Sequence, residues 1–274
     1  MIIDGKKIAL EMYNEMKTEI SGMQKKPGLG AILVGNNPSS EKYVEQKRKW
    51  AEFIGMDFYL YRFREDISEK ELVNEVEKLN LDEKISGFIV QLPLPNHISD
   101  KKIINSIKRE KDVDGFHPIN QGKILIGDNS GFSPCTPEGI MKIFSYYEID
   151  LVGKIITVIG KSNIVGKPIR LMLINAGATV ISCNSKTPDL SQFTSISDIV
   201  ISATGNPNLI KSDMVKEDSI LIDVGFTFLD GKIYGDMDFE NLKDKSSMIT
   251  PVPGGVGALT VANLLANTLK ASKK

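Results

Sequence analysis

Cysteine and histidine are the scarce residues of this 274-residue chain, which holds two of each: Cys135 and Cys183, His97 and His117. Two cysteines in unrelated contexts, with no Cys-x-x-Cys, argue against a disulfide framework or a zinc cage, and both are expected as buried thiols. The histidines stand in separate Pro- and Gly-rich segments without the spacing of a metal pair, so no metal site is expected. Long apolar runs are also missing, since none approaches the ~18–20 residues of a membrane span. Met1-Ile2-Ile3-Asp4-Gly5-Lys6-Lys7 lacks the basic and apolar regions of a signal peptide, and a cytoplasmic protein is expected. No charge of one sign dominates: 34 Lys and Arg oppose 35 Asp and Glu, a net charge of −1. Without a broad cationic field, nucleic acid and anionic membrane are disfavoured as partners. What remains is ordinary: 41% hydrophobic and 25% charged residues, in a length suited to two modest domains or one large one.

Ile8, Met12, Met16 and Ile20 recur every four residues and predict an amphipathic first helix ending near Ser21-Gly22. Leu29–Gly35 reads as a buried strand, Asn37-Pro38 as the cap and first residue of a helix to about Ile54, and Phe58–Phe63 as a second strand. Ser68 to Glu71 forms a capping box before a helix whose Leu72, Val73, Val76 and Leu79 face inward. Gly87–Leu92 is a third strand, stopped by Pro93 and Pro95. Strands that are near-continuous apolar runs, alternating with helices, indicate a parallel sheet covered on both faces. The stretch from Arg109 to Pro137 has no helical period and reads as an extended connector with functional loops. A second series follows: a helix from about Pro137, a strand at Lys154–Gly160, a helix at Gly166–Asn175, and strands at Thr179–Ser182, Asp198–Ala203 and Ile220–Val224. Asp230-Gly231 signals a hairpin between Phe226–Phe228 and Lys232–Tyr234, and a last helix spans about Leu259–Lys270.

Several clusters could carry chemistry. Val158 to Pro168, through Gly160, Ser162 and Gly166, runs from a strand through a small-residue turn into a helix, an arrangement that offers backbone N–H groups to a phosphate. It departs from G-x-G-x-x-G because Ser162 stands at the second glycine, and a tight turn in any α/β domain would read alike. After the next strand, Cys183-Asn184-Ser185-Lys186-Thr187 holds no acid for a ribose 2′-hydroxyl. Its hydroxyls and Lys186, with Lys161, suit a 2′-phosphate and hence NADP, unless both lysines are solvated surface cations. Tyr43, Lys47, Trp50, Ala51 and Ile54 share one helical face, so Lys47 interrupts an apolar stripe. It either snorkels to water or sits in a poorly solvated pocket, where its amine is available for proton transfer. Gln91 closes a strand before Leu92-Pro93-Leu94-Pro95. Asp112 and Asp114 are either two catalytic carboxylates or turn residues. Pro251-Val252-Pro253-Gly254-Gly255-Val256-Gly257 needs close approach to something or is a rigid linker.

Taken in order, Tyr43-Val44-x-x-Lys47-x-Lys49, Gln91-Leu92-Pro93-Leu94-Pro95, Lys111-Asp112-Val113-Asp114-Gly115-Phe116, Pro134-Cys135-Thr136-Pro137, Gly160-x-Ser162-x-x-Val165-Gly166-x-Pro168 and Pro251 to Gly257 resemble the bifunctional methylenetetrahydrofolate dehydrogenase/methenyltetrahydrofolate cyclohydrolase, or FolD, family. The resemblance covers essentially the whole chain. It implies two α/β lobes flanking a cleft: a folate and catalytic domain at 1–136, onto which helix 259–274 packs back, and a Rossmann-like NADP-binding domain at 137–258. It further implies oxidation of 5,10-methylenetetrahydrofolate with NADP⁺, hydrolysis of the methenyl product to 10-formyltetrahydrofolate, service to purine biosynthesis, and a homodimer.

By resemblance the catalytic residues are Lys47, Tyr43, Gln91 and Asp114. Tyr43 stacks on the aminobenzoyl group, Asp114 hydrogen-bonds the pterin, and Gln91 tunes Lys47. Pro253, Gly254 and Gly255 join Tyr43, Gln91 and Asp114 at the substrate, and the cofactor meets Gly160, Lys161, Ser162, Ile164, Ser185, Thr204, Gly205 and Val256. Two departures stand out. Lys161 replaces a common arginine and loses its bidentate fork, which predicts a weaker NADP preference, and Ala258-Leu259-Thr260 replaces Pro-Met-Thr, which alters the loop's stiffness. A dehydrogenase without the hydrolytic step has no need of intact Tyr43, Lys47 and Gln91. A non-catalytic folate- or NADP-binding module has no need of Lys47 on an apolar face.

Overall fold

Seven consecutive buried residues, Gly28–Val34, make β1 the middle of a three-stranded sheet, as an apolar run between two covered faces requires. The computed structural model describes residues 1–229 and 231–274, so Asp230 of the expected Asp230-Gly231 turn lies outside the described residues. Helix α1 (Gly5–Ser21) precedes β1; α2 (Pro38–Phe53), β2 (Asp57–Phe63), α3 (Glu69–Leu81) and β3 (Gly87–Val90) follow. The order is β2-β1-β3, with both pairings parallel. Local chemistry sets the helix starts. The Asn37 side chain accepts from Ser39 N and Ser40 N, and Ser68 with Glu71 closes a reciprocal capping box. Each such cap contributes about 1 kcal/mol. Leu72, Val76 and Leu79 of α3 pack with Ile32, Val34, Phe88 and Val90 in one core, while Val73 is only partly buried at its edge.

Two helices here have no counterpart in the sequence reading. Helix α4 (Asp100–Ser106) starts on the Ser99 side chain, and α5 (Pro118–Leu125) on His117, whose Nδ1 accepts from Ile119 N. Thus the stretch from Arg109 to Pro137 is not wholly an extended connector. Helix α5 is too short for a visible period and buries only Asn120 and Ile124.

The second sheet has five parallel strands: β4 (Ile155–Ile159), β5 (Thr179–Cys183), β6 (Ile199–Ser202), β7 (Ile220–Asp223) and, beyond the antiparallel pair β8 (Thr227–Leu229) and β9 (Lys232–Tyr234), β10 (Met248–Ile249). Helices α6 (Cys135–Tyr146), α7 (Gly166–Asn175), α8 (Ser191–Thr194) and α9 (Phe239–Leu242) alternate with them, and α10 (Val256–Ser272) ends the chain. The order β10-β7-β6-β4-β5 makes the chain reverse its direction of travel between β5 and β6. The carboxyl ends of β4 and β6 therefore flank a topological switch point, where doubly wound sheets bind ligands. Ile159, Cys183, Val200, Leu221, Met237 and Ile249 form the core beneath it, and both cysteines are buried thiols.

The chain divides into two compact units. The three-stranded unit comprises Leu10–Ser133 and Val261–Lys274; the five-stranded unit comprises Met1–Ala9 and Pro134–Thr260. The grouping differs from the sequence expectation at the N-terminus, where residues 1–9 join the five-stranded unit instead of the first lobe. The cause is local pairing: Ile2 bridges Ile249, Ile3 N donates to Ile249 O at 2.8 Å, and the terminal ammonium donates to Ser247 O at 2.6 Å.

Candidate functional site

The three-stranded unit holds Lys47 on α2 and Gln91 immediately after β3. The Lys47 Nζ donates to Gln91 Oε1 at 2.8 Å, and Gln91 Nε2 donates to Leu92 O at 2.8 Å, which turns the amide oxygen towards the lysine. Helix α2 is held in place behind this pair. Val44, Ala51 and Ile54 are buried, and Trp50 stacks on Tyr13 of α1 with ring centroids 4.1 Å apart and planes at 11°. The expected apolar stripe is thus rotated: its buried seam runs through Val44, and Tyr43 is 37% exposed with Lys47 half-buried at the margin. One residue of helix turns a side chain by about 100°, enough to move Tyr43 from core to rim. One helical turn before Lys47, Tyr43 shares its side of α2, and burial pushes its phenol pKa up, so the ring carries a neutral hydroxyl.

Asp112 and Asp114 separate into different roles. Asp112 is 1% exposed and accepts from Phe116 N at 3.2 Å, His117 N at 2.8 Å and Asn120 Nδ2 at 2.8 Å. Burial raises its pKa while these donors lower it, and the residue braces the turn. Asp114 follows on that turn, half-buried, just before Gly115. Behind it, Asn267 of α10 donates to Val113 O at 2.9 Å and Ser133 O at 3.1 Å.

In the five-stranded unit the candidate residues gather at the strand exits. Gly160 follows β4 with φ +118°, and a Cβ there would lie 2.3 Å from Ala203 O, after β6. Only glycine lets the two exits pass this closely. Lys161, Ser162 and Ile164 are exposed on the turn, but the backbone donors expected to face a phosphate are partly covered. Ser162 Oγ accepts from Val165 N at 3.1 Å and Gly166 N at 3.3 Å, the local bond that a serine in place of glycine forms. Ser185 and Lys186 are exposed on the turn after β5, and Thr204 and Gly205 after β6. Thr204 N donates to Asp236 Oδ2 at 2.7 Å, and Ser202 Oγ donates to the same oxygen at 2.8 Å.

Sequence reasoning missed Asp236 and its neighbour Asp223, which accepts from Gly225 N, Asp236 N and Met237 N at 2.9–3.0 Å. Burial raises the Asp223 carboxyl to about 7. It also missed Arg170. No local spacing announces these contacts, because they join strand ends far apart in the chain.

The approach required by Pro251 to Gly257 comes from this same unit: a Cβ on Gly5 would lie 2.1 Å from Gly255 O. Pro253 is exposed, Gly254 half-buried and Gly255 buried. Val256 is 2% exposed, so its side chain belongs to the packed interior and not to an open binding surface. The exposed cations and hydroxyls beside a glycine-cleared switch point, with no carboxylate on the Gly160 or Ser185 turns, fit an NADP phosphate set. Among the described residues no group of three or more His, Cys, Asp and Glu could hold a metal, and no helix is long and apolar enough to cross a membrane.

Comparison with known proteins agrees over the full length. Residues 3–114 match the tetrahydrofolate dehydrogenase/cyclohydrolase catalytic domain, and residues 134–274 its NAD(P)-binding domain. The bifunctional protein FolD of Aquifex aeolicus is 48% identical over 278 residues, covering 100% of this chain and 96% of the relative. The crystal structure of the Campylobacter jejuni bifunctional enzyme FolD superposes with a TM-score of 0.97 at 49% identity, covering 100% of this chain and 98% of that one. That of the Trypanosoma brucei enzyme complexed with NADP cofactor and inhibitor gives 0.96 at 34%, covering 100% and 97%. With a buried-edge lysine held by a glutamine in one unit, a glycine-cleared switch point in the other, and these matches end to end, the chain belongs to the tetrahydrofolate dehydrogenase/cyclohydrolase family.

Proposed function

We propose that this protein oxidises 5,10-methylenetetrahydrofolate to 5,10-methenyltetrahydrofolate with NADP⁺ and hydrolyses the product to 10-formyltetrahydrofolate, as an enzyme of one-carbon metabolism. The observation that carries the hydrolytic half is the 2.8 Å bond from Lys47 to Gln91. An uncharged amide orients the amine without stabilising an ammonium as a carboxylate would. As water adds to the methenyl carbon, neutral Lys47 takes the proton the water loses. It returns that proton to the ring nitrogen as the carbon–nitrogen bond breaks. The formyl C=O forms as that bond breaks and the added hydroxyl gives its own proton to solvent, so the reaction consumes one water, releases one proton and restores the lysine.

Tyr43 stacks on the aminobenzoyl group from the rim of α2, Asp114 hydrogen-bonds the pterin, and Pro253, Gly254 and Gly255 complete the substrate contacts. NADP⁺, when bound, supplies the hydride acceptor. Gly160, Lys161, Ser162 and Ile164 hold its phosphates, Ser185 with Lys186 the 2′-phosphate, and Thr204 and Gly205 the opposite wall of the switch-point crevice; Val256 contributes through its main chain. Three finer readings go with the proposal by family kinship: a homodimer, a cytoplasmic location, and a product used in purine biosynthesis. Purified protein given methylenetetrahydrofolate and NADP⁺ is expected to form NADPH and a transient methenyl absorbance. Absence of NADPH would overturn the reading.

A further inference from the structure

Arg170 lies on α7, one turn after Gly166, and carries its guanidinium beneath the Gly160 turn. One of its nitrogens donates to Val158 O at 3.2 Å, to Cys183 O at 3.3 Å and to Gly160 O. Cys183 O also accepts from Gly160 N at 3.1 Å, so a single cation and one main-chain bond draw the exits of β4 and β5 together. The Nε is buried with no acceptor among the described residues, and the charge is held by carbonyl dipoles with no carboxylate beside it. Burial works against the charged form, yet a guanidinium keeps its proton in proteins.

A half-buried cation without a counter-ion is costly, and an anion arriving nearby offsets that cost. Of the two turns above Arg170, the Gly160 turn is the one assigned to the cofactor's phosphates and the Ser185 turn the one assigned to its 2′-phosphate. The β5 turn is braced by its own bonds: Asn184 N to Thr187 Oγ1 at 3.0 Å, Lys186 N to Asn184 Oδ1 at 3.0 Å, and Thr187 N to Asn184 O at 2.9 Å. Ser185 is therefore presented at a set place just past Cys183. Lys161 and Lys186 are exposed, and solvent and salt screen them. Arg170, partly withdrawn from water, acts through a lower effective dielectric.

Resting on the NADP reading above, we propose that Arg170 determines cofactor specificity: a cation gripped beneath Gly160 and Cys183, its charge favours a nucleotide bearing a 2′-phosphate over one without it. It compensates for the fork lost where lysine stands at position 161.

The test is calorimetric titration of the full chain with 2′,5′-ADP and with 5′-AMP, for wild type, Arg170→Met and Arg170→Lys, with circular dichroism to confirm folding. Arg170→Met is expected to lower the affinity ratio of 2′,5′-ADP to 5′-AMP about tenfold, ~1.4 kcal/mol, with NADP⁺ and NAD⁺ following the same order. Arg170→Lys, which keeps the charge but breaks the three-carbonyl grip, retains most of the ratio. Equal weakening of both nucleotides by Arg170→Met, or a ratio that collapses in Arg170→Lys, would overturn the proposal. If Arg170→Met does not fold, Arg170→Gln, which removes the charge but keeps an amide donor for the carbonyls, takes its place with the same expected and overturning results. A wild-type protein that binds both nucleotides alike would instead overturn the NADP reading beneath it.

Discussion

The two units build their sites by opposite means. In the three-stranded unit the proposed site rests on side chains carried by regular elements: Lys47 from α2 meets Gln91 from the end of β3, and Asp114 stands on a turn braced by Asp112. In the five-stranded unit it rests on strand exits, main chain and the absence of atoms, as at Gly160, where no Cβ fits. The first kind of site fails by losing a functional group while the fold persists. The second fails by gaining bulk.

The largest effect expected from this contrast is that of Lys47→Met. Hydrolysis of methenyltetrahydrofolate should fall by about 10³, inside the ~10²–10⁴ range of a positioned general acid–base, with NADPH formation much less affected. The decay of methenyl absorbance measures it, and wild-type decay would remove Lys47 from the chemistry. Gly160→Ala should act on the other side. Strain at φ +118° and the clash with Ala203 O are expected to cost about 1–3 kcal/mol of stability and to weaken NADP⁺ binding by about tenfold, most of the loss falling on dehydrogenation. Calorimetry with NADP⁺ and chemical denaturation follow the two losses, and unchanged affinity would show that the exits need not pass so closely.

The last expected effect leaves the chemistry untouched and concerns Asp223, the buried brace of the five-stranded unit. Its carboxyl titrates near 3.8 unfolded and at about 7 folded, so the folded state holds the proton more tightly in that window. Stability contributed by the protonated group is therefore complete below the window and is lost as pH rises through it. Asp223→Asn cannot titrate, and its melting temperature should fall less steeply across the same window. An equally steep fall would assign the pH dependence to another group.

Much of this was legible from local pattern. The Ser68 capping box, the Asn37-Pro38 helix start, the apolar run of β1 and the Gly160 turn depend on residues a few positions apart, and they fold as their spacing implies. What was illegible depends on topology. Asp236 serves Ser202 and Thr204 from beyond a hairpin, and Arg170 becomes meaningful only once β5 lies beside β4. Tyr43 marks an intermediate case, since its helix was readable but its position on that helix's buried seam was off by one residue. Helices α4 and α5 escaped because each, at about two turns, is too short to repeat an apolar period often enough to reveal it.

The bonds from Asn267 to Val113 O and Ser133 O set an order of events during synthesis. Lys270, three residues on, also donates to Asn129 O at 3.0 Å and Gly131 O at 2.6 Å. The turn that carries Asp114 emerges from the ribosome well before its anchor, which is made 154 residues after Val113. The five-stranded unit, whose segments end at Thr260, has all its residues before then. A nascent chain that has reached Thr260 thus holds every residue of the five-stranded unit and an unfastened Asp114 turn, so truncation between Thr260 and Asn267 would loosen the proposed pterin contact while leaving the proposed cofactor contacts in place.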